Sequence, residues 1–212
     1  MTAGLTVVVD YGLCNIDSMT RALEECGARE VVRSRDPRVV GRADRIVLPG
    51  VGNFTAAMRN IREFGLFEVI QEAGAARNTP FLGACLGMQL MATSSSEGAT
   101  NGSTPGLGLV PGEVVRLAPA NGDERIPHIG WNEVVPRTGS VLFNGGGPSD
   151  FYFVHSFHVR LADAKDEGGR TPYCGGFTAA IEAVGRPIFG TQFHPEKSQK
   201  SGFRLLKNFL AV

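Results

Sequence analysis

Three short apolar runs, LTVVV (residues 5–9), RIVLP (45–49) and PFLGA (80–84), are spaced through the first part of the chain. None shows the polar alternation of a strand with one wet face, so each reads as a strand buried on both sides. Between the first two, NIDSMTRALEECG sets Ile16, Met19, Leu23 and Cys26 at helical spacing and stops at Gly27, a C-terminal cap. REVVR (29–33) reads as a further strand, and residues 54–77 read as helical with a break at Gly65. Buried strands alternating with helices predict a parallel sheet covered on both faces.

After about residue 93 the character changes. TSSSEGATNGSTPGLG is polar and glycine-rich, a loop by composition. Strand-like pieces follow: GEVVRL, HIGWNEV, FYFVHSFHV, FTAAIEAV and PIFGTQFH, the last two joined through Gly185-Arg186 as a hairpin. SQKSGFRLLKNFL then reads as a closing amphipathic helix with Phe203, Leu206 and Phe209 or Leu210 on one face. No repeat and no second linker-bounded unit is visible. The expected fold is one α/β domain over residues 1–212, with a central mixed, mostly parallel sheet flanked by helices. A chain of 212 residues can bury roughly 70% of its extended surface.

Twenty-one basic and 21 acidic residues cancel, which favours neither nucleic acid nor an anionic membrane as partner. The apolar runs are too short to span a bilayer, and MTAGLTVVVD lacks the pattern of a signal peptide. Cys14, Cys26, Cys85 and Cys174 are scattered, with no C-x-x-C pair and no zinc-like cluster with histidine. The expectation is a reducing, cytoplasmic setting, without metal or cofactor.

Cys85 sits in G-A-C-L-G, where a strand ending near Ala84 meets a helix beginning near Leu86. Gly83 and Gly87 flank it at two residues each way, the spacing of a nucleophile elbow. The turn places sulfur beside unpaired helix N–H groups, which favour an anion, and the Leu86 N–H would face an oxyanion formed by attack on a carbonyl. The plainer reading is a cysteine packed in the core as a small hydrophobe. A base decides between the two.

His128, His155, His158 and His194 are available. His194 ends PIFGTQFH, and in a strand Glu196 would share its side, with Pro195 stiffening the placement. Such a carboxylate orients imidazole and stabilises imidazolium, completing a cysteine–histidine–glutamate set for acyl transfer. His155 competes as base but has no carboxylate two residues away; His-x-Glu alone can also be a surface ion pair with Lys197.

PFLGACLGMQLM together with GTQFHPEKSQ resembles the glutaminase domain of the class I, triad-type glutamine amidotransferases. DYGLCNIDSMTRAL, RIVLPGVGNF, IPHIGWNEV and YFVHSFHV narrow the resemblance to the glutaminase subunits of imidazole glycerol phosphate synthase, along nearly the whole chain. The resemblance implies a flavodoxin-like, class I glutamine amidotransferase-like fold, with Cys85, His194 and Glu196 as the triad. Pro49 to Gly52 match the oxyanion strand, so Val51 and Leu86 would supply the oxyanion donors. Gly50, Gly52, Gln89, Glu97, His155 and Ser156 match positions lining the glutamine pocket.

Glutamine would be hydrolysed through a cysteine thioester, with ammonia passed to a (β/α)8 cyclase subunit in a heterodimer. The products would be imidazole glycerol phosphate and an aminoimidazole carboxamide ribotide. Asn15, Trp131, Tyr152 and Lys197 match positions near that subunit interface. The family is typically quiescent until partner and ligand are bound, which an incomplete oxyanion hole at PGVG would explain. Cys14, Ala84 and Phe157 depart from the usual residues. The same chemistry could instead serve surface-sugar (amidino sugar) biosynthesis, and a different reading is a non-catalytic regulator of a barrel enzyme.

Overall fold

The computed structural model describes residues 4–100 and 102–212. Residues 1–3, part of the N-terminus read for a leader, and Asn101, within the polar stretch, lie outside the described residues. The first half runs β1 (Leu5–Val9), α1 (Ile16–Glu25), β2 (Glu30–Ser34), α2 (Pro37–Val40), β3 (Arg45–Gly50), α3 (Phe54–Glu63), α4 (Phe67–Gln71), β4 (Phe81–Cys85) and α5 (Leu86–Leu90). The short strands β5 (Ser94–Ser95) and β6 (Thr104–Pro105) follow. The second half holds β7 (Gly112–Arg116), β8 (His128–Pro136), β9 (Ser149–His155), β10 (Phe157–Leu161), β11 (Glu167–Thr171), β12 (Phe177–Glu182), β13 (Ile188–Thr191) and α6 (Gln199–Leu210).

Among the described residues a nine-stranded sheet has the order β2-β1-β3-β4-β13-β12-β11-β8-β9. The pairings from β2 to β13 are parallel and those from β13 to β9 antiparallel, so the mixed sheet divides into two halves that meet at β13. Strand alternation sends successive side chains to opposite faces. Val7 and Val9 of β1 therefore join the core under α3, α4 and α5, while Val8 joins the core under α1 and α6. This is why the first strands carry no polar alternation: both faces are covered. A four-stranded sheet, β10-β7-β5-β6, lies on the first of those cores through Val114 and Val159. No helix of the described residues is long and apolar enough to cross a membrane.

Several local expectations are corrected. FYFVHSFHV is two strands, not one: the chain breaks at Ser156, and β9 and β10 enter different sheets. The polar stretch after residue 93 is not all loop, since β5 and β6 pair within it. The glycine-rich EGGRT forms β11 without apolar periodicity, held by pairing on both sides with two register shifts. The α6 core face is Leu205, Leu206, Phe209 and Leu210, with Phe203 only partly buried. The helical stretch does break at Gly65, where φ is +67°.

Candidate active site

Cys85 ends β4 with φ 53° and ψ −110°, and α5 starts at the next residue. A non-glycine residue in this region costs on the order of 1–3 kcal/mol and persists only where the surroundings hold it. The flanking glycines show what holds it. A Cβ on Gly87 would run into the Leu48 carbonyl of β3, and one on Gly83 would lie 2.6 Å from the Gly87 carbonyl oxygen. Helix and strand can therefore meet closely enough to force the turn only without side chains at both positions. Cys85 as a whole is 5% exposed.

β13 lies parallel to β4, with Thr191 opposite Ala84, and so delivers the following residues beside the elbow. Glu196 does reach His194, but not along a strand face as expected. It sits in a tight turn, Pro195–Lys197, just beyond β13, and the turn brings Oε1 to 2.9 Å from His194 Nδ1. Ser198 clamps that turn by donating to the His194 carbonyl at 2.6 Å and accepting from the Tyr152 N–H at 3.0 Å. Gly202 lets α6 close on it, since a Cβ there would collide with the Pro195 carbonyl.

The His194 and Glu196 side chains are only 4% and 3% exposed. Burial alone would push the imidazole down, but the Cys85 thiol and the Glu196 carboxylate together raise it to about 10. His194 Nε2 makes no hydrogen bond of ordinary geometry among the described residues, and its coupling to the Cys85 sulfur is seen in the raised imidazole. Lys197, the alternative partner for the carboxylate, instead lies over the Tyr152 ring, 6.0 Å from its centroid.

β3 runs beside β4 with Gly50 opposite Cys85, which puts the PGVG segment next to the thiol. The Val51 N–H, however, donates to the Leu13 carbonyl at 2.9 Å. The expected pairing of Val51 and Leu86 as joint oxyanion donors is thus absent here, because one donor is engaged elsewhere. Gly52, at φ +105°, supplies the turn that follows. Glu97 is brought to this segment rather than to the sulfur: its carboxylate accepts from the Phe54 N–H at 2.9 Å, and burial pushes its pKa up.

Gln89 is buried and donates to the Phe157 carbonyl at 2.7 Å and to Gln192 Oε1 at 3.1 Å. Gln192, which sequence reasoning missed, points its amide N–H at Cys85 Sγ from 3.9 Å. The signal was present: Gln192 lies two residues before His194 in the same run.

His155 is no second base. Its Nδ1 must donate to the Phe157 carbonyl at 2.8 Å, so its Nε2 accepts from His128 Nδ1 at 3.1 Å. His128 Nε2 in turn accepts from Asn132 at 2.9 Å. Burial pulls His155 down to about 3 and His128 to about 4, leaving both rings neutral. Ser156 marks the break between β9 and β10, and its carbonyl accepts from Leu117 N–H at 2.9 Å.

Trp131 is 46% exposed and meets Tyr152 edge-on at 5.9 Å. With Lys197 they form one surface cluster, joined to the site through the Tyr152 carbonyl, which accepts from the His194 N–H at 3.0 Å. Asn15 stands apart from them, in a hollow lined by Asp10, Gly12, Cys14 and Arg33.

The family model described as "Glutamine amidotransferase class-I" matches residues 7–212. The imidazole glycerol phosphate synthase subunit HisH of Ruegeria pomeroyi is 44% identical, covering 97% of this chain and 98% of its own. The subunit of the same name from Aquifex aeolicus is 45% identical, covering 96% and 95%. Among solved structures, a glutamine amidotransferase aligns with TM-score 0.73 at 18% identity over 97% of this chain and 99% of its own. PurLQS from Thermotoga maritima aligns with TM-score 0.73 at 19% identity over 99% of both. At such identities these two structures speak for the fold.

Proposed function

Because the chain belongs to the class I glutamine amidotransferase family, we propose that it is the glutaminase subunit of an imidazole glycerol phosphate synthase in histidine biosynthesis, with Cys85 as nucleophile, His194 as base and Glu196 as orienter. The observation that carries this reading is the strained Cys85 elbow facing an imidazole whose other nitrogen is held by a buried carboxylate.

In the proposed reaction the Cys85 sulfur attacks the carboxamide carbon of glutamine. The oxygen becomes an oxyanion, and collapse expels ammonia, which takes its proton from the His194 imidazolium. The glutamyl thioester is then cleaved by water, with His194 accepting the water proton, and glutamate leaves. Glu196 keeps the ring oriented and offsets its positive charge throughout. Gln89 and Gln192 support the sulfur side, while Gly50, Gly52, Glu97, His155 and Ser156 frame the pocket through backbone and neighbouring contacts.

The similar proteins are named as subunits, which supports a complex. We assign the partner as a (β/α)8 cyclase forming a heterodimer and receiving the ammonia. The exposed Trp131–Tyr152–Lys197 cluster forms the centre of the docking face, and Asn15, in its separate hollow, joins that face through the family resemblance; aromatic residues of this kind are enriched at such interfaces. The Val51–Leu13 bond supports a resting state in which the oxyanion hole lacks a donor.

The test is covalent trapping. A glutamine-shaped diazo ketone should label Cys85 and no other cysteine, as read by peptide mass spectrometry. Labelling spread over Cys14, Cys26 and Cys174, or none at Cys85, would contradict the assignment.

A further inference from the structure

Tyr11 is completely buried, yet its hydroxyl has no hydrogen-bond partner among the described residues. Buried polar groups are rarely left so, and each exception calls for a physical account. A phenylalanine would fill the same space without the cost of the unpaired hydroxyl.

The location of the hydroxyl suggests its use. It occupies the volume a side chain on Gly50 would need, and the same volume is bordered by Leu86 Cβ and the Gly87 N–H. Tyr11 therefore points at the junction between the PGVG segment and the nucleophile elbow. Its backbone is anchored there by Asn60, whose amide donates to the Tyr11 carbonyl at 3.0 Å. Burial, with the Cys14 and Cys85 thiols adding to it, pushes the phenol well above its ordinary pKa, so the hydroxyl keeps its proton as a donor.

Val51 N–H and Gly50 C=O belong to one planar trans peptide and point in opposite directions. Turning the N–H from Leu13 toward the sulfur must swing the Gly50 carbonyl oxygen the other way, and that oxygen then needs a new donor. We propose that the Tyr11 hydroxyl is a positioning group that donates to the Gly50 carbonyl in the turned state and so holds the Val51 N–H at the oxyanion. The proposal rests on the reading of Val51 as an oxyanion donor. It makes the segment bistable by exchange: the turn gives up the Leu13 bond and gives the unpaired hydroxyl a partner. A two-state element so balanced responds to modest differential binding by a partner.

Tyr11→Phe tests this in the complete complex, with cyclase partner and its ligand present, by steady-state glutamate release. Stimulated kcat should fall by about tenfold or more, the order expected for a lost buried hydrogen bond. KM for glutamine should stay within about twofold, a split that a merely structural role would not produce. Stimulated kcat equal to wild type would overturn the proposal while leaving the Cys85 assignment intact. Absence of stimulation in the wild-type complex would overturn this proposal together with the oxyanion reading beneath it.

A second measurement does not depend on a variant. The Tyr11 ring, carrying a carbon-13 label beside the hydroxyl, should change chemical shift when partner, ligand and glutamine are added. An unchanged Tyr11 signal in a complex shown to be active would overturn the proposal.

Discussion

The Val51 amide donates to the Leu13 carbonyl at 2.9 Å, although its neighbour Gly50 is paired with Cys85 across β3 and β4. The backbone N–H proposed as an oxyanion donor is thus occupied by the loop after β1. Loss of one oxyanion donor costs about 10²–10³ in rate. The chain alone should therefore release glutamate slowly and be stimulated by roughly that factor when partner and ligand bind. Hydrogen exchange at Val51 is the local readout: slow in the lone chain, altered in the complex. Full activity of the lone chain would show that the bond does not limit turnover.

Glu196→Gln keeps the shape of the pair with His194 and removes its charge. Since the Cys85 thiol and Glu196 both raise the imidazole against the effect of burial, the variant's His194 should titrate well below its present value of about 10. A histidine raised in the fold adds stability fully present below the unfolded pKa of about 6.5 and lost as pH rises toward the folded value. The variant should lose that contribution, and kcat should fall by roughly 10²–10⁴. Proton NMR of the His194 ring with parallel kinetics checks both.

Gln192→Leu removes the amide that faces Cys85 Sγ and leaves Gln89 without one acceptor. Hydrogen bonds to a charged group contribute about 1.5–3 kcal/mol, so kcat should drop roughly tenfold to a hundredfold. A variant with wild-type kcat would show that the Gln192 contact carries no weight in the reaction.

His128 and His155 titrate in the opposite sense. Burial holds them near 4 and 3, so the fold binds fewer protons than the unfolded chain between about pH 6.5 and those values. Their contribution to stability is present above about pH 6.5 and lost as pH falls. The thermal midpoint should decline from pH 6.5 toward 4. At pH 5 ring NMR should find both neutral while His194 is protonated; a charged His155 at pH 5 would contradict the Asn132–His128–His155 chain.

What the sequence made legible was local chemistry. Short apolar runs without polar alternation marked β1, β3 and β4, and glycines at 83 and 87 marked the elbow because close backbone approach leaves no room for other residues. His194 and Glu196 were paired correctly but by the wrong backbone, since a tight turn brings them together as well as a strand face would. Gln192 escaped notice because its contact depends on the register of β13 against β4, set by residues a hundred positions apart. The Leu13–Val51 bond joins two backbones and leaves no side-chain signature, although an incomplete oxyanion hole was expected from the family resemblance. The split at Ser156 was hidden because strand-forming residues flank it on both sides, in a run that supplies two sheets in turn.

The most direct measurement is the pair of activities of Cys85→Ala assembled with a cyclase partner. The account predicts that synthesis driven by glutamine is abolished while synthesis driven by added ammonia continues at the wild-type rate. Glutamine-driven synthesis that survives the substitution, or equal loss of both activities, would contradict Cys85 as the nucleophile that releases ammonia for a partner.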